Sequence, residues 1–214
     1  KFGITLMTRF CQWQRLVATN ILPEVSKSSD VPEVDFELDQ ETYCNVLSYL
    51  RLTDPEIRNH IDIPHPDNSK VFLNYAKELS VLHCDHRPNK IKISKKPPNN
   101  IVQYQGCDNK SSFGSVLHIL KVLVKNERNT LIFIQQNDEQ KYLPTQPLGV
   151  ICKSLSIIHL KSMGNFEIVQ PHKILGICAY RQLPAWSMGL KKPSMLVCLI
   201  REGDIAPETD TNID

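Results

Sequence analysis

The stretch SSFGSVLHILKVLVKNE, residues 111–127, decides which fold class the sequence predicts. Beyond its first few residues it is almost entirely apolar, and three of its polar residues, His118, Lys121 and Lys125, recur at the spacing of one helical face. A run of this length with a single polar stripe is typical of a helix that is buried on most sides. We therefore predict a buried helix here.

Predicted strands flank this helix. IVQYQ (101–105) precedes it, and TLIFIQ (130–135) follows it and is apolar enough to be buried on both faces. Strand, helix and strand in this order predict a βαβ-like unit. The later strand candidates are LGVICKSLSIIHL (148–160), FEIVQ (166–170) and SMLVCLI (194–200), while HKILGICAYRQ (172–182) fits either a helix or a strand.

The first 86 residues are predicted to be mainly helical. A strand at FGITLMTR (2–9) and a helix at CQWQRLVATNI (11–21) come first. A clearer helix spans 40–51, because Asp39 can cap it and the apolar residues follow the spacing of one buried stripe: Tyr43, Val46, Leu47 and Leu50. Further helices are predicted from Pro55 and from Ser69 to His86. The expected fold is therefore α+β, or mixed α/β, with a helix-rich first part followed by a mixed sheet.

A basic stretch separates these two parts. NKIKIS (89–94) alternates strictly and predicts a half-buried strand with a lysine face, and KKPPNN (95–100) follows as a turn or linker. The predicted organisation is a helix-rich segment 1–86, a basic strand and Pro/Asn linker 87–100, a mixed α/β segment 101–202 and an acidic, mobile tail 203–214. One continuous domain is the alternative.

Two histidines suggest a metal site. His83 and His86 lie three residues apart on the predicted helix, which is a geometry that a metal could use. Zinc needs three or four ligands, however, and no other histidine or cysteine follows a known metal-binding spacing. We therefore predict a partly buried histidine pair at a helix end, with no metal and no cofactor.

Composition favours an intracellular globular protein, in the nucleus or cytoplasm. The seven cysteines are dispersed without a CxxC pair, which is typical of reduced thiols. The apolar stretches are too short to cross a bilayer, so no membrane partner is expected. Since Lys1 is not an initiator Met, we expect a domain of a larger protein.

Charge is distributed unevenly. Residues 86–201 hold 17 Lys/Arg against 5 Asp/Glu, whereas the flanking segments 1–85 and 202–214 each carry a net charge of −5. This basic block predicts an anionic partner or charge pairing within the chain. The candidate contacts to nucleic acid or another anion are Lys90, Lys92, Lys95, Lys96, Arg181, Lys191 and Lys192.

Motifs of catalysis are missing from the sequence. It contains no phosphate-binding glycine loop and no nucleophile elbow, although Asp138 and Glu139 follow a predicted strand where an α/β enzyme places its ligand. Trp186, in the irregular stretch LPAWSMG, is a candidate partner contact. The favoured function is a non-catalytic domain that binds another protein as a scaffold. The alternatives are a domain that binds nucleic-acid phosphates and an unrecognised or degenerate enzyme.

Overall fold

The computed structural model describes residues 33–86, 89–125, 127–143, 146–187 and 190–199. Within these ranges the side chains of residues 85, 86, 89, 90 and 147 are not described. The strand and helix predicted before residue 22 lie outside the described residues. So does the acidic segment 203–214.

Strands dominate the described residues. The helices are α1 (Gln40–Thr53) and α2 (Pro147–Ser154), and Pro171–Lys173 forms a short 3-10 turn. The strands are β1 (Glu33–Glu37), β2 (Arg58–Asn59), β3 (Val71–Leu79), β4 (Val81–His86), β5 (Asn89–Ser94), β6 (Ile101–Gln105), β7 (Ser111–Val124), β8 (Glu127–Glu139), β9 (Ile158–Val169), β10 (Ile174–Leu183) and β11 (Ser194–Leu199).

Six of these strands close into an antiparallel barrel. Its order is β7, β6, β10, β11, β9 and β8, and the pairing of β7 with β8 closes the ring. One edge of β7 pairs with β6 over residues 111–115 and with β3 over residues 120–124. The long strand β7 therefore joins the barrel to a sheet extension made of β3, β1 and β2, while β4 and β5 form a separate hairpin.

The predicted α+β or mixed α/β fold is wrong, because residues 111–124 form a strand and not a helix. Both faces of β7 carry buried residues, such as Ile119 and Leu120, which belong to different hydrophobic clusters. In addition, the register of β7 against β8 shifts between Val116 and His118, which breaks the two-residue alternation. A strand with apolar residues on both faces and a bulge resembles a buried helix in sequence.

Three other predicted elements are also wrong. Residues 71–86 form β3 and β4 instead of a helix, and the helix expected after Pro55 is a turn followed by the short strand β2. Conversely, the strand expected to begin at residue 148 is helix α2. No βαβ unit occurs among the described residues, since every barrel pairing is antiparallel.

Elements with strong local signals are confirmed. Helix α1 begins after Asp39, whose carboxylate accepts a 2.8 Å hydrogen bond from the Thr42 amide. Its stripe is buried as predicted. The predicted strands NKIKIS and IVQYQ coincide with β5 and β6, and the other confirmed strand predictions lie within longer strands: TLIFIQ in β8, most of FEIVQ in β9 and most of SMLVCLI in β11.

Two elements cover different ends of one face of β10. The β4–β5 hairpin packs there against a cluster that includes Ile177, and α2 packs against one that includes Leu183. Ile177 and Leu183 lie on the same face because they are an even number of residues apart on one strand. Six residues of strand separate them by roughly 20 Å at about 3.3 Å per residue. The hairpin and α2 therefore mark opposite ends of the barrel.

Candidate interaction surface at the β10–β11 loop

The predicted basic contacts fall into two groups on the structure. Lys92, Lys95 and Lys96 belong to the β4–β5 hairpin and the turn after it, near the start of β10. Lys191 and Lys192 lie in the loop that joins the other end of β10 to β11, and Arg181 is close to that end. Because a barrel strand separates the groups, they do not converge on one groove. The side chain of Lys90 is not described.

Part of the basic block is neutralised within the chain. Lys95 Nζ lies 2.6 Å from Glu78 Oε1, and His118 Nδ1 contacts the same oxygen at 2.6 Å. Burial opposes ionisation of Glu78, but the hydrogen bonds from Lys95 and His118 outweigh it and lower the pKa of the carboxyl group. Lys121 is likewise paired, with Glu33 at 2.5 Å. Lys95 is therefore less available to a partner than Lys92 and Lys96, which are exposed.

The β10–β11 loop holds Trp186 out in solvent. The residue is 75% exposed, and its φ of 68° lies in the left-handed region that non-glycine residues rarely adopt. The Trp186 amide donates to the Leu190 carbonyl at 2.5 Å, and the Leu190 amide donates to the Ser187 carbonyl at 3.0 Å. The exposed indole is therefore carried by a loop that is folded by its own hydrogen bonds.

Three cationic residues lie within six positions of Trp186 in the sequence. Arg181, Lys191 and Lys192 are exposed, and none of them forms an ion pair with another described residue. Arg181 lies opposite Leu196 in the β10–β11 pairing, on the face that α2 covers nearby. The loop end of the barrel therefore combines a large apolar side chain with positive charge that the chain itself does not compensate.

A buried polar group that the sequence analysis missed lies beneath α2. His159 on β9 is 3% exposed, and its Nδ1 atom lies 2.5 Å from the Tyr142 hydroxyl. His159 Nε2 and the buried Ser194 Oγ have no hydrogen-bond partner among the described residues. The sequence could have indicated a buried histidine here, because His159 is a single imidazole inside the apolar run SIIHL.

Burial keeps this polar group neutral. It lowers the pKa of His159, which disfavours the imidazolium ion, and it raises the pKa of the Tyr142 hydroxyl. Burial also raises the pKa of the neighbouring Cys152 thiol. A neutral imidazole can donate one hydrogen bond and accept another.

Glu167 is the centre of a second network that the sequence analysis did not find. It accepts hydrogen bonds from the Cys107 amide and thiol at 2.8 Å, from Gln136 at 2.9 Å and from Tyr104 at 3.1 Å. Burial opposes ionisation of Glu167, but these donors outweigh it and lower the pKa of the carboxyl group. The network ties β6 and the turn after it to β8 and β9, which is a structural role. The two acidic residues considered in the sequence analysis as a possible enzyme site, Asp138 and Glu139, lie exposed at the end of β8.

The histidine pair predicted at a helix end is also corrected. His83 lies on strand β4, exposed and opposite Lys92, because the segment is not helical. A spacing of three residues brings side chains together on a helix but not on a strand, so the geometry expected for this pair does not apply. Within the described residues, no three His, Cys, Asp or Glu side chains are grouped so that they could hold a metal ion.

Comparison with known protein families, curated proteins and solved structures finds no match to this chain. Neither helix in the described ranges is long and apolar enough to cross a membrane.

Proposed function

We propose that this chain is a non-catalytic binding domain of a larger intracellular protein, and that it holds an acidic segment of a partner protein at the β10–β11 loop. The observation that carries the proposal is the 75% exposure of Trp186 in a loop with hydrogen bonds of its own. Tryptophan is enriched among the residues that dominate the binding energy of protein interfaces.

The free energy gained by burying apolar surface supports an interface at Trp186. A tryptophan side chain can bury on the order of 150–250 Å², so covering most of the exposed indole is worth about 3 kcal/mol at ~25 cal/mol per Å². The left-handed backbone at this residue adds a conformational cost. A residue that costs stability in the free chain is a sound candidate for one that stabilises a complex.

The charge around the loop supports an acidic partner. Arg181, Lys191 and Lys192 have no acidic neighbour to pair with among the described residues. Carboxylates on a partner would supply that pairing and accelerate encounter at low salt. The expected ligand is therefore a segment that combines Asp or Glu with a pocket or apolar side chain for the indole.

Nucleic acid is the second candidate. An exposed indole next to lysines is the arrangement that stacks on a base while cations contact phosphate. The separation of the hairpin lysines from the loop lysines makes one continuous phosphate track less favourable. A single-stranded ligand at the loop alone would still fit.

Peptide selection on the full chain tests these proposals. A displayed library of random dodecapeptides is selected on the wild-type protein, and the enriched peptides are measured against Trp186→Ala and the double variant Lys191→Gln/Lys192→Gln. The matched controls are Tyr75→Ala, an exposed aromatic on β3, and Lys92→Gln/Lys96→Gln on the hairpin side. We expect acidic peptides to be enriched and to lose affinity only with the loop variants.

Two outcomes contradict the proposal. Enriched peptides that lack acidic residues, or that bind all four variants equally well, would remove the loop from consideration. A labelled single-stranded oligonucleotide is titrated in parallel at several salt concentrations. If it binds, if the loop variants reduce its salt dependence and if no peptide is enriched, the nucleic-acid candidate replaces the protein partner.

A further inference from the structure

We propose that Arg181, Ser194 and His159 form a carboxylate-binding subsite for the acidic partner, a step that rests on the proposed function. In this subsite Arg181 supplies the positive charge at the surface. Ser194 Oγ and His159 Nε2 supply neutral hydrogen-bond donors behind it. The ligand is the side-chain carboxylate of an Asp or Glu residue of the partner.

Strand register places these three residues on one face of the barrel. Leu196 on β11 pairs with Arg181 on one side and with His159 on the other. Ser194 lies two residues before Leu196 on the same strand, so its side chain points to the same face. Diagonal neighbours of this kind have Cβ atoms about 7 Å apart. A carboxylate between Ser194 and His159 is within reach of both side chains.

The protonation states fit a carboxylate ligand. Because the Tyr142 hydroxyl keeps its proton and the imidazole is neutral, the phenol can donate to His159 Nδ1. In that arrangement the ring proton lies on Nε2, which becomes a donor. The Ser194 hydroxyl can also donate. Two neutral donors and one guanidinium group match the acceptor-only chemistry of an ionised carboxylate.

The burial of the two donors explains why a ligand would bind tightly. His159 Nε2 and Ser194 Oγ are buried and have no described partner, and a buried donor without an acceptor is costly. Bonds to an ionised acceptor are roughly twice as strong as neutral ones. Ser194 is only partly buried as a residue and Arg181 is exposed, so the partner's carboxylate would have to enter from the Arg181 side. Partner binding would therefore remove an unfavourable feature of the free chain.

The experiment compares each acidic peptide selected above with its Glu→Gln and Asp→Gln counterpart. Binding is measured by titration to wild type, Arg181→Gln and Ser194→Ala. The controls are Arg128→Gln, an exposed arginine on β8, and Ser162→Ala, an exposed serine on β9. Both subsite variants should bind the acidic peptide about tenfold more weakly, since a hydrogen bond to a charged group contributes on this scale. They should bind the amide peptide as wild type does.

Nitrogen NMR of the histidine rings gives the second readout. On saturation with the acidic peptide, the Nε2 signal of His159 should shift, and the shift should be absent with the amide peptide. An unchanged His159 signal, or Ser194→Ala and Arg181→Gln variants that bind like their controls, would rule out the carboxylate subsite. If Trp186→Ala also binds normally, the proposed function fails together with the subsite; if Trp186→Ala binds weakly, only the subsite fails.

Discussion

Tyr104 on β6 and Glu167 on β9 are joined by a 3.1 Å hydrogen bond, although β7 and β8 lie between their strands. The tyrosine ring spans this distance by passing over Gly114 on β7. A Cβ atom at Gly114 would lie 3.3 Å from Tyr104 Cε1, 2.6 Å from the Gln135 carbonyl oxygen and in overlap with Ile134 Cγ2. The bond between Tyr104 and Glu167 therefore depends on a position without a side chain.

Replacing this glycine should destabilise the barrel. The Gly114→Ala variant forces Cβ against the backbone of Gln135, so the free energy of unfolding should fall by about 1–3 kcal/mol, as for other overpacked sites. Urea denaturation measures the change. Gly176→Ala is the control, because a Cβ there meets nothing within 4 Å. A Gly114→Ala variant as stable as this control would contradict the packing described.

Acid should weaken the Glu167 network. Its folded-state pKa is lowered from the ordinary 4.5, so its contribution to stability is complete above the ordinary value and is lost as the pH falls through the folded value. Between about pH 6 and pH 3, the urea midpoint of wild type should fall more than that of Glu167→Gln. Glu139→Gln, at an exposed position, should follow wild type. Parallel curves for wild type and Glu167→Gln would refute the assignment.

The Cys107 thiol should react slowly for an exposed cysteine. Its hydrogen bond to Glu167, together with burial, raises the pKa of the thiol and so lowers the thiolate fraction. Glu167→Gln removes the charge and should accelerate maleimide labelling of Cys107 several-fold at neutral pH. Cys44, also exposed, is the internal reference and should label at the same rate in both proteins. Peptide mass mapping separates the two sites, and an unchanged Cys107 rate would argue against the bond.

Trp186 should destabilise the chain when no partner is bound. Glycine adopts a φ of 68° without the penalty that a side chain imposes. In urea denaturation, the free energy of unfolding of Trp186→Gly should therefore be about 0.5–1 kcal/mol higher than that of Trp186→Ala. Both variants should lose partner binding. If Trp186→Ala is the more stable of the two, the loop does not hold residue 186 in the left-handed region.

The sequence determined the elements whose signals are local. Helix α1 begins where Asp39 can cap it, and strand β5 has strict alternation, so neither needed distant contacts to be recognised. Trp186 could be selected as a candidate contact because it lies in a stretch without apolar periodicity. Its exposure depends on loop hydrogen bonds that the sequence does not reveal.

Tertiary structure alone decided the fold class and the proposed carboxylate subsite. Residues 111–124 are apolar on both faces because different clusters cover the two sides of β7, and a period of two cannot be detected in such a run. Arg181 and Ser194 come from consecutive strands, but His159 comes from β9, and it joins them on one face only because β11 pairs with β9 as well as with β10. Pairing between distant strands is set by the packing of the whole barrel, so no local pattern could bring these residues together.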